Sequence, residues 1–274
     1  NLWHIFTDFY GGQYAPLAFL SYLVLYAGFG YDPFYFHMFS LLLHIGCVCL
    51  VWKLISSLLR VHGGVSEKQI LYVNFITTLL FAVHPINVEA VAWISALKVL
   101  LYAFFYLLGL LCYLRYIRTS KIGCFLCSFW GKEQAVTFPL ALLIVDWFTN
   151  RNMKNLEVWS EKMSFLIMAF FFGIITVLSQ GKGPYEMIFP LYQRLLFGCF
   201  ALVEYITKSL LPVNLNFFYP FPIVLGEEPP LHYYLYPVVL LFLMGWIIAY
   251  RNNRYLVFGV LLFLVNLLFS IHLF

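Results

Sequence analysis

Charge is scarce in this chain. Only 10% of its 274 residues are Asp, Glu, Lys or Arg, whereas an average soluble domain carries roughly 25%. A domain that must cover itself with a solvated surface is therefore excluded. The net charge of +4 is spread over separate loops, which is too thin for a nucleic-acid interface. Cysteine is sparse as well: six thiols scattered through apolar stretches do not make a disulfide-built secreted module. Cys124 and Cys127 form a C-x-x-C, but among Phe, Leu and Trp such thiols act as small hydrophobes. Tandem repeats and low-complexity segments are missing. No Ser–His–Asp arrangement or metal-ligand cluster is visible, and Gly181-Lys182-Gly183-Pro184 lacks the strand–loop–helix frame of a phosphate loop. His37 and His44 stand two turns apart on one face without a third ligand. Their expected role is hydrogen bonding between helices. Neither a metal nor a cofactor is expected.

What the chain has in abundance is apolar surface. Hydrophobic residues make up 63%, with 30 Phe and 20 Tyr, and runs such as Val99–Tyr113 carry no charge at all. This composition predicts an all-α polytopic membrane protein. Candidate membrane segments cover about 34–60, 69–84, 99–116, 163–180, 190–211, 232–250 and 255–274. Shorter apolar stretches lie at 16–29, 122–130 and 135–148, giving about 8–9 segments, some short or re-entrant. We expect one membrane domain over 1–274, with an outer loop and juxtamembrane helix at 1–33 and the bundle at 34–274. The first residues are neither a signal peptide nor a helix start, so the chain reads as an interior piece of a longer protein.

Lys and Arg set the orientation. Four loops hold most of them: Arg60 and Lys68; Arg115, Arg118 and Lys121; Arg151, Lys154 and Lys162; Arg251 and Arg254. Placing these inside leaves the other side more acidic, with Asp8, Asp32, Glu89, Glu186, Glu227 and Glu228. Three apolar runs separate Lys162 from Arg251, an odd number where an even one is needed. Either 190–211 is re-entrant or one loop breaks the rule. Residues 122–130 reach only about 14 Å as a helix against a hydrocarbon core of about 30 Å. Lys132 and Glu133, between the two short stretches, are thus expected within the membrane and shielded from lipid.

Several groups have the right chemistry for a site. His84-Pro85-Ile86-Asn87-Val88-Glu89 lies on the outer face, and Pro85 suits a first helical position. Glu89 and Trp93, four apart, share a helical face. A carboxylate beside an aromatic ring at the surface fits a sugar platform or proton acceptor, and equally a helix cap with an interfacial anchor. Glu204 and Lys208 form an i, i+4 pair in an apolar stretch. The pair either neutralises itself or offers Lys208 to an anion, and Arg194 is a further phosphate candidate.

Several motifs carry a resemblance. They are Tyr14-Ala15-Pro16-Leu17, Gly30-Tyr31-Asp32-Pro33, and the run Phe81 to Ser95 centred on His84-Pro85-Ile86-Asn87-Val88-Glu89-Ala90-Val91-Ala92-Trp93. Further on come Gly131-Lys132-Glu133-Gln134-Ala135-Val136-Thr137 closing at Asp146, and Tyr205, Lys208, Pro212 and Tyr219-Pro220-Phe221-Pro222. In this order they resemble the membrane part of the transmembrane-and-tetratricopeptide-repeat family, similar to protein O-mannosyltransferases with the C-type glycosyltransferase fold. The resemblance points to a bacterial member in the inner membrane, or to the endoplasmic reticulum if the source is eukaryotic. It implies transfer of a mannose-like sugar from a polyprenyl-phosphate donor to Ser or Thr hydroxyls of an acceptor polypeptide, at the outer or lumenal face. Candidate catalytic residues are then Asp8 and Glu89, with His84, Lys132, Glu133, Lys208, Arg194 and Tyr14 toward substrate or phosphate. The family's acidic motif of the first outer loop, its first span and its repeat domain lie outside this sequence. Two other readings share the polar cavity: a lipid-linked sugar transporter, and a non-catalytic membrane subunit that docks protein partners.

Overall fold

The computed structural model describes residues 4–5, 15–119, 136–180, 189–213, 215–216 and 227–267, in two compact units, Asn1–Gly181 and Lys182–Phe274. Among the described residues every regular element is helical. Helix boundaries follow the local chemistry. Pro16 opens α1 (Pro16–Phe29), and Gly30, at φ 67°, turns the chain after it. Asp32 accepts from the Phe34 N–H and Pro33 begins α2 (Pro33–His62), the longest helix. Gly63 ends it at φ 78°. A reciprocal Ser66–Gln69 capping box then starts α3 (Glu67–Val83), satisfying two otherwise orphaned N–H groups.

Beyond α3 the chain passes through two 3₁₀ turns and a short helix, α4 (Val88–Ala92), into α5 (Leu97–Thr119). An 11-residue helix, α6 (Phe138–Phe148), and α7 (Leu156–Gln180) complete the first unit. Small residues bring these helices close: Ala15, just before α1, and Ala18 within it pack on Leu97 and Leu101 of α5. At Gly46 of α2 the ring of Phe104 sits where a Cβ would approach to 2.9 Å. Polar seams link helices too, since Asn74 of α3 is buried and donates to the Ser56 hydroxyl at 2.6 Å. The second unit holds α8 (Leu191–Leu210), a 3₁₀ turn at Leu231–Tyr234, α9 (Leu235–Ala249) and α10 (Arg254–Leu267).

Among the described residues, four helical stretches are long and apolar enough to cross a membrane: Pro33–His62, Ile94–Ile117, Leu156–Ile175 and Leu231–Ala249. A fifth is Glu67–Val83 together with Pro85–Ala92, bent by 45°. The outward faces are apolar, with Phe170, Leu241 and Phe242 among the exposed side chains, as a lipid-facing surface requires. This is an integral membrane protein. With Arg194, Glu204 and Lys208, α8 is not among the crossing helices.

One sequence expectation is corrected. Lys162 is not a loop cation: α7 begins at Leu156 and Lys162 lies within it, fully buried. Residues 122–130, with the tip expected at Lys132 and Glu133, fall outside the described residues.

Candidate functional site

Two clusters of polar groups stand out among the described residues of the first unit. The first is the outer end, where α3 breaks. Pro85 has no N–H, so the Phe81 carbonyl loses its helical donor. The Asn87 amide replaces it, donating to Phe81 O at 2.7 Å. The Ile86 N–H turns to His84 Nδ1 at 3.3 Å instead of to Ala82. His44 of α2 faces the Ala82 carbonyl through Nε2 at 3.1 Å, the interhelical bond expected for this residue, whereas His37 is exposed. The His-Pro-Ile-Asn sequence thus ends one helix and starts another with its backbone groups satisfied. The resulting lintel carries exposed Glu89, and the Trp93 N–H closes it on the Glu89 carbonyl at 3.0 Å. Trp93 is 46% exposed.

Beside this lintel lies a groove of about 200 Å³ lined by Ala15, Ala18, Phe19, Tyr22, Ser95 and Lys98. The Tyr22 hydroxyl donates to the Ile94 carbonyl at 2.7 Å and so ties α1 to the first turn before α5. Lys98, partly buried, brings a cation to the rim of an otherwise apolar slot. The Lys98 ammonium and the Ser95 hydroxyl beside this largely apolar slot are groups that suit an anionic headgroup whose tail remains in lipid.

The second place is the opposite end of the same helices. Asp146 of α6, Tyr113 of α5 and Lys162 of α7 are all buried and meet in one network. The Tyr113 hydroxyl donates to both Asp146 oxygens at 2.6 and 2.8 Å. Lys162 pairs with Asp146 and donates to Tyr113. Arg151 grips Glu161 with two bonds of 2.8 and 3.0 Å and reaches Asp146 at 3.3 Å. Tyr116 donates to Glu161 at 3.0 Å. Hydrogen bonding to Glu161 holds the Arg151 guanidinium above its ordinary pKa, against the opposing effect of burial.

In the second unit, Glu204 and Lys208 form the expected ion pair at 3.1 Å. Arg194 stands fourteen residues before Lys208 on α8, roughly 21 Å along the axis at 1.5 Å per residue, so the two cannot serve one phosphate. The Tyr192 hydroxyl donates to Glu228 at 3.0 Å, and the Gln193 amide donates to the Glu227 carbonyl at 3.1 Å. Phe197 and Phe200 pack against Tyr233, and Phe200 also against Tyr236, with centroids 5.0–5.7 Å apart. Asp8, Tyr14, Lys132 and Glu133 lie outside the described residues. No group of three or more metal-ligating side chains occurs among the described residues.

Sequence reasoning missed Lys98 and the Tyr113–Asp146–Lys162 network. For Lys98 the signal was a single cation at the head of a long apolar run. For the network it was Asp146 itself, an acid inside an otherwise apolar stretch.

The fold defines a helical integral membrane protein. Its known relatives narrow this further. The chain is 29% identical over 200 residues to Protein O-mannosyl-transferase tmtc2 of Xenopus laevis, covering 65% of the chain and 23% of the relative. It is 32% identical over 177 residues to Protein O-mannosyl-transferase TMTC2 of Mus musculus, covering 57% and 20%. It is 33% identical over 145 residues to Protein O-mannosyl-transferase TMTC4 of Homo sapiens, covering 47% and 19%. These are proteins of the kind its motifs resemble. The chain spans about a fifth of their length. No family model and no solved structure matches it.

Proposed function

We propose that this chain is part of the membrane domain of a protein O-mannosyltransferase that uses a polyprenyl-phosphate sugar as donor. The observation that carries the reading is the groove with Lys98 and Ser95, beside the lintel that presents Glu89, in a chain whose relatives are named protein O-mannosyl-transferases. A lipid-linked donor keeps its tail in the bilayer, so the reacting carbon lies at the membrane boundary.

The chemistry needs two kinds of group. The acceptor Ser or Thr oxygen attacks the anomeric carbon, and its proton passes to a carboxylate. The bond from that carbon to the phosphate oxygen breaks, and the phosphate leaves with the bonding electrons, stabilised by cations or hydrogen-bond donors. Glu89 and Asp8 are the proposed carboxylates, Lys98 and Lys132 the proposed cations, and Trp93 a ring against which a sugar face can rest. Lys208, paired with Glu204, is a weaker candidate for the phosphate than the sequence alone implies.

The test uses the intact protein in vesicles loaded with polyprenyl-phosphate mannose and an acceptor protein. Mass spectrometry should find hexose on Ser or Thr. No transfer by the intact protein would overturn the reading in favour of a non-catalytic subunit or a transporter of the donor.

A further inference from the structure

The break between α3 and α4 frees the carbonyls of Phe81 and Ala82, and their replacement donors come from different places. Pro85 cannot donate to Phe81, and that carbonyl is met from within the break by the Asn87 amide at 2.7 Å. The Ala82 carbonyl loses the Ile86 N–H to His84 Nδ1 and is met from another helix, by His44 Nε2 at 3.1 Å. A carbonyl only accepts, so this bond needs the proton on Nε2. His44 is buried in the first half of α2, and its ring stacks on Phe81 with centroids 5.8 Å apart. The Asn87 bond closes the break on itself, whereas the His44 bond ties it to α2. In an unbroken helix the Ala82 carbonyl would take the Ile86 N–H. The Ile86 N–H thus has two candidate acceptors: His84 Nδ1, which goes with the bend, and Ala82 O, which continues α3.

We propose that His44 holds the 45° bend between α3 and α4 by occupying the Ala82 carbonyl, and so fixes where Glu89 and Trp93 stand. An acceptor in apolar surroundings does not stay unmet. Without His44 the Ala82 carbonyl recaptures the Ile86 N–H, and α3 runs on toward Val88. His44 is therefore a positioning residue that touches no substrate. The groove at Ser95 and Lys98 has its own tie, the Tyr22 hydroxyl on the Ile94 carbonyl at 2.7 Å. Loss of His44 moves the lintel and leaves the groove in place.

Pairs of spin-labelled residues in the intact protein in vesicles read the bend directly. Leu41 on α2 and Ala92 at the end of α4 are both exposed, and so is Leu79 on α3, before the break. The arm from Val83 to Ala92 reaches about 14 Å at helical rise, so unbending by 45° carries its tip through up to about 10 Å. His44→Phe keeps a ring against Phe81 and removes only the donor. It should shift or broaden the Leu41–Ala92 distance and leave Leu41–Leu79 alone. His44→Gln should restore the original distance, because its amide nitrogen lies as many bonds from the backbone as Nε2. If His44→Phe does not survive purification, His44→Asn replaces it, with an amide one bond too short. An unchanged Leu41–Ala92 distance, both distances moving together, or no restoration by Gln overturns the proposal. A second arm rests on the transfer reading. There His44→Phe should lower kcat roughly 10–100-fold by misplacing Glu89, hold the KM for polyprenyl-phosphate mannose within about twofold, and be rescued by Gln. A shifted distance with unchanged kcat overturns the positioning role and leaves the bend. Absence of transfer by the unaltered protein sinks the transfer reading, and the distances still decide the bend.

Discussion

Lys162 and Asp146 form an ion pair with no exposure on either side chain, and Tyr113 donates to the same carboxylate. Removing one partner of such a pair strands the other charge, which costs about 3–5 kcal/mol, whereas removing both leaves nothing to desolvate. Lys162→Met alone should therefore lower the melting temperature sharply or prevent purification in detergent. Asp146→Asn, Lys162→Met together should recover most of the loss. A double variant as damaged as the single one would show that the pair is not the source of the cost.

Asn87 predicts a donor-specific effect. Its amide stands in for the N–H that Pro85 lacks, at 2.7 Å from the Phe81 carbonyl. Asn87→Ala should cost about 1–3 kcal/mol, the penalty of a partly buried group left unsatisfied. Asn87→Asp should be no better, because a carboxylate cannot donate. Thermal melts of the two variants side by side decide the matter: if Asp restores what Ala loses, the bond is misassigned.

Two glycines should respond in opposite ways. A side chain at Gly46 meets the Phe104 ring at 2.9 Å, so Gly46→Val overpacks the seam between α2 and α5 and should cost about 1–3 kcal/mol. Gly173 in α7 has open space around its Cβ position. There Gly173→Ala should gain up to about 1 kcal/mol of helix propensity. Stabilities measured in the same detergent provide the check.

For the outer groove the expected result is kinetic. Glu89→Gln should reduce transfer by the intact protein on the order of 10²–10⁴-fold if the carboxylate takes the proton. Lys98→Ala should reduce it on the order of 10²–10³-fold if the ammonium faces the leaving phosphate. Folding, followed by melting temperature, should change little for Glu89→Gln because that side chain is exposed. Unaltered rates for both variants would remove these residues from the mechanism.

Much of the helical layout was legible in the sequence, because an uncharged run of the right length has few places to go but lipid. The 34–60, 99–116 and 232–250 segments correspond to α2, α5 and α9, and Pro85 marks the start of a new helical turn. His44 bonds to a neighbouring helix as its chemistry suggests. Lys162 was not legible. Glu157, Ser160 and Glu161 around it look like a polar loop, and only the tertiary pairing with Asp146 shows that the helix has already begun. Lys98 was hidden for a related reason: a cation at the head of an apolar run looks like an ordinary flank until α1 folds alongside and makes a groove of it. The ties at Asn87 and Tyr22 depend on backbone carbonyls, which no pattern of side chains displays.

The charged members of this network, Asp146 and Lys162 buried and Arg151 and Glu161 partly exposed, are two acids and two bases, and their formal charges cancel. Each unbalanced unit charge carried through a membrane potential does work of about 2.3 kcal/mol per 100 mV. A cluster that sums to zero feels almost none of that force. Energising or collapsing the membrane should therefore leave this cluster where it is.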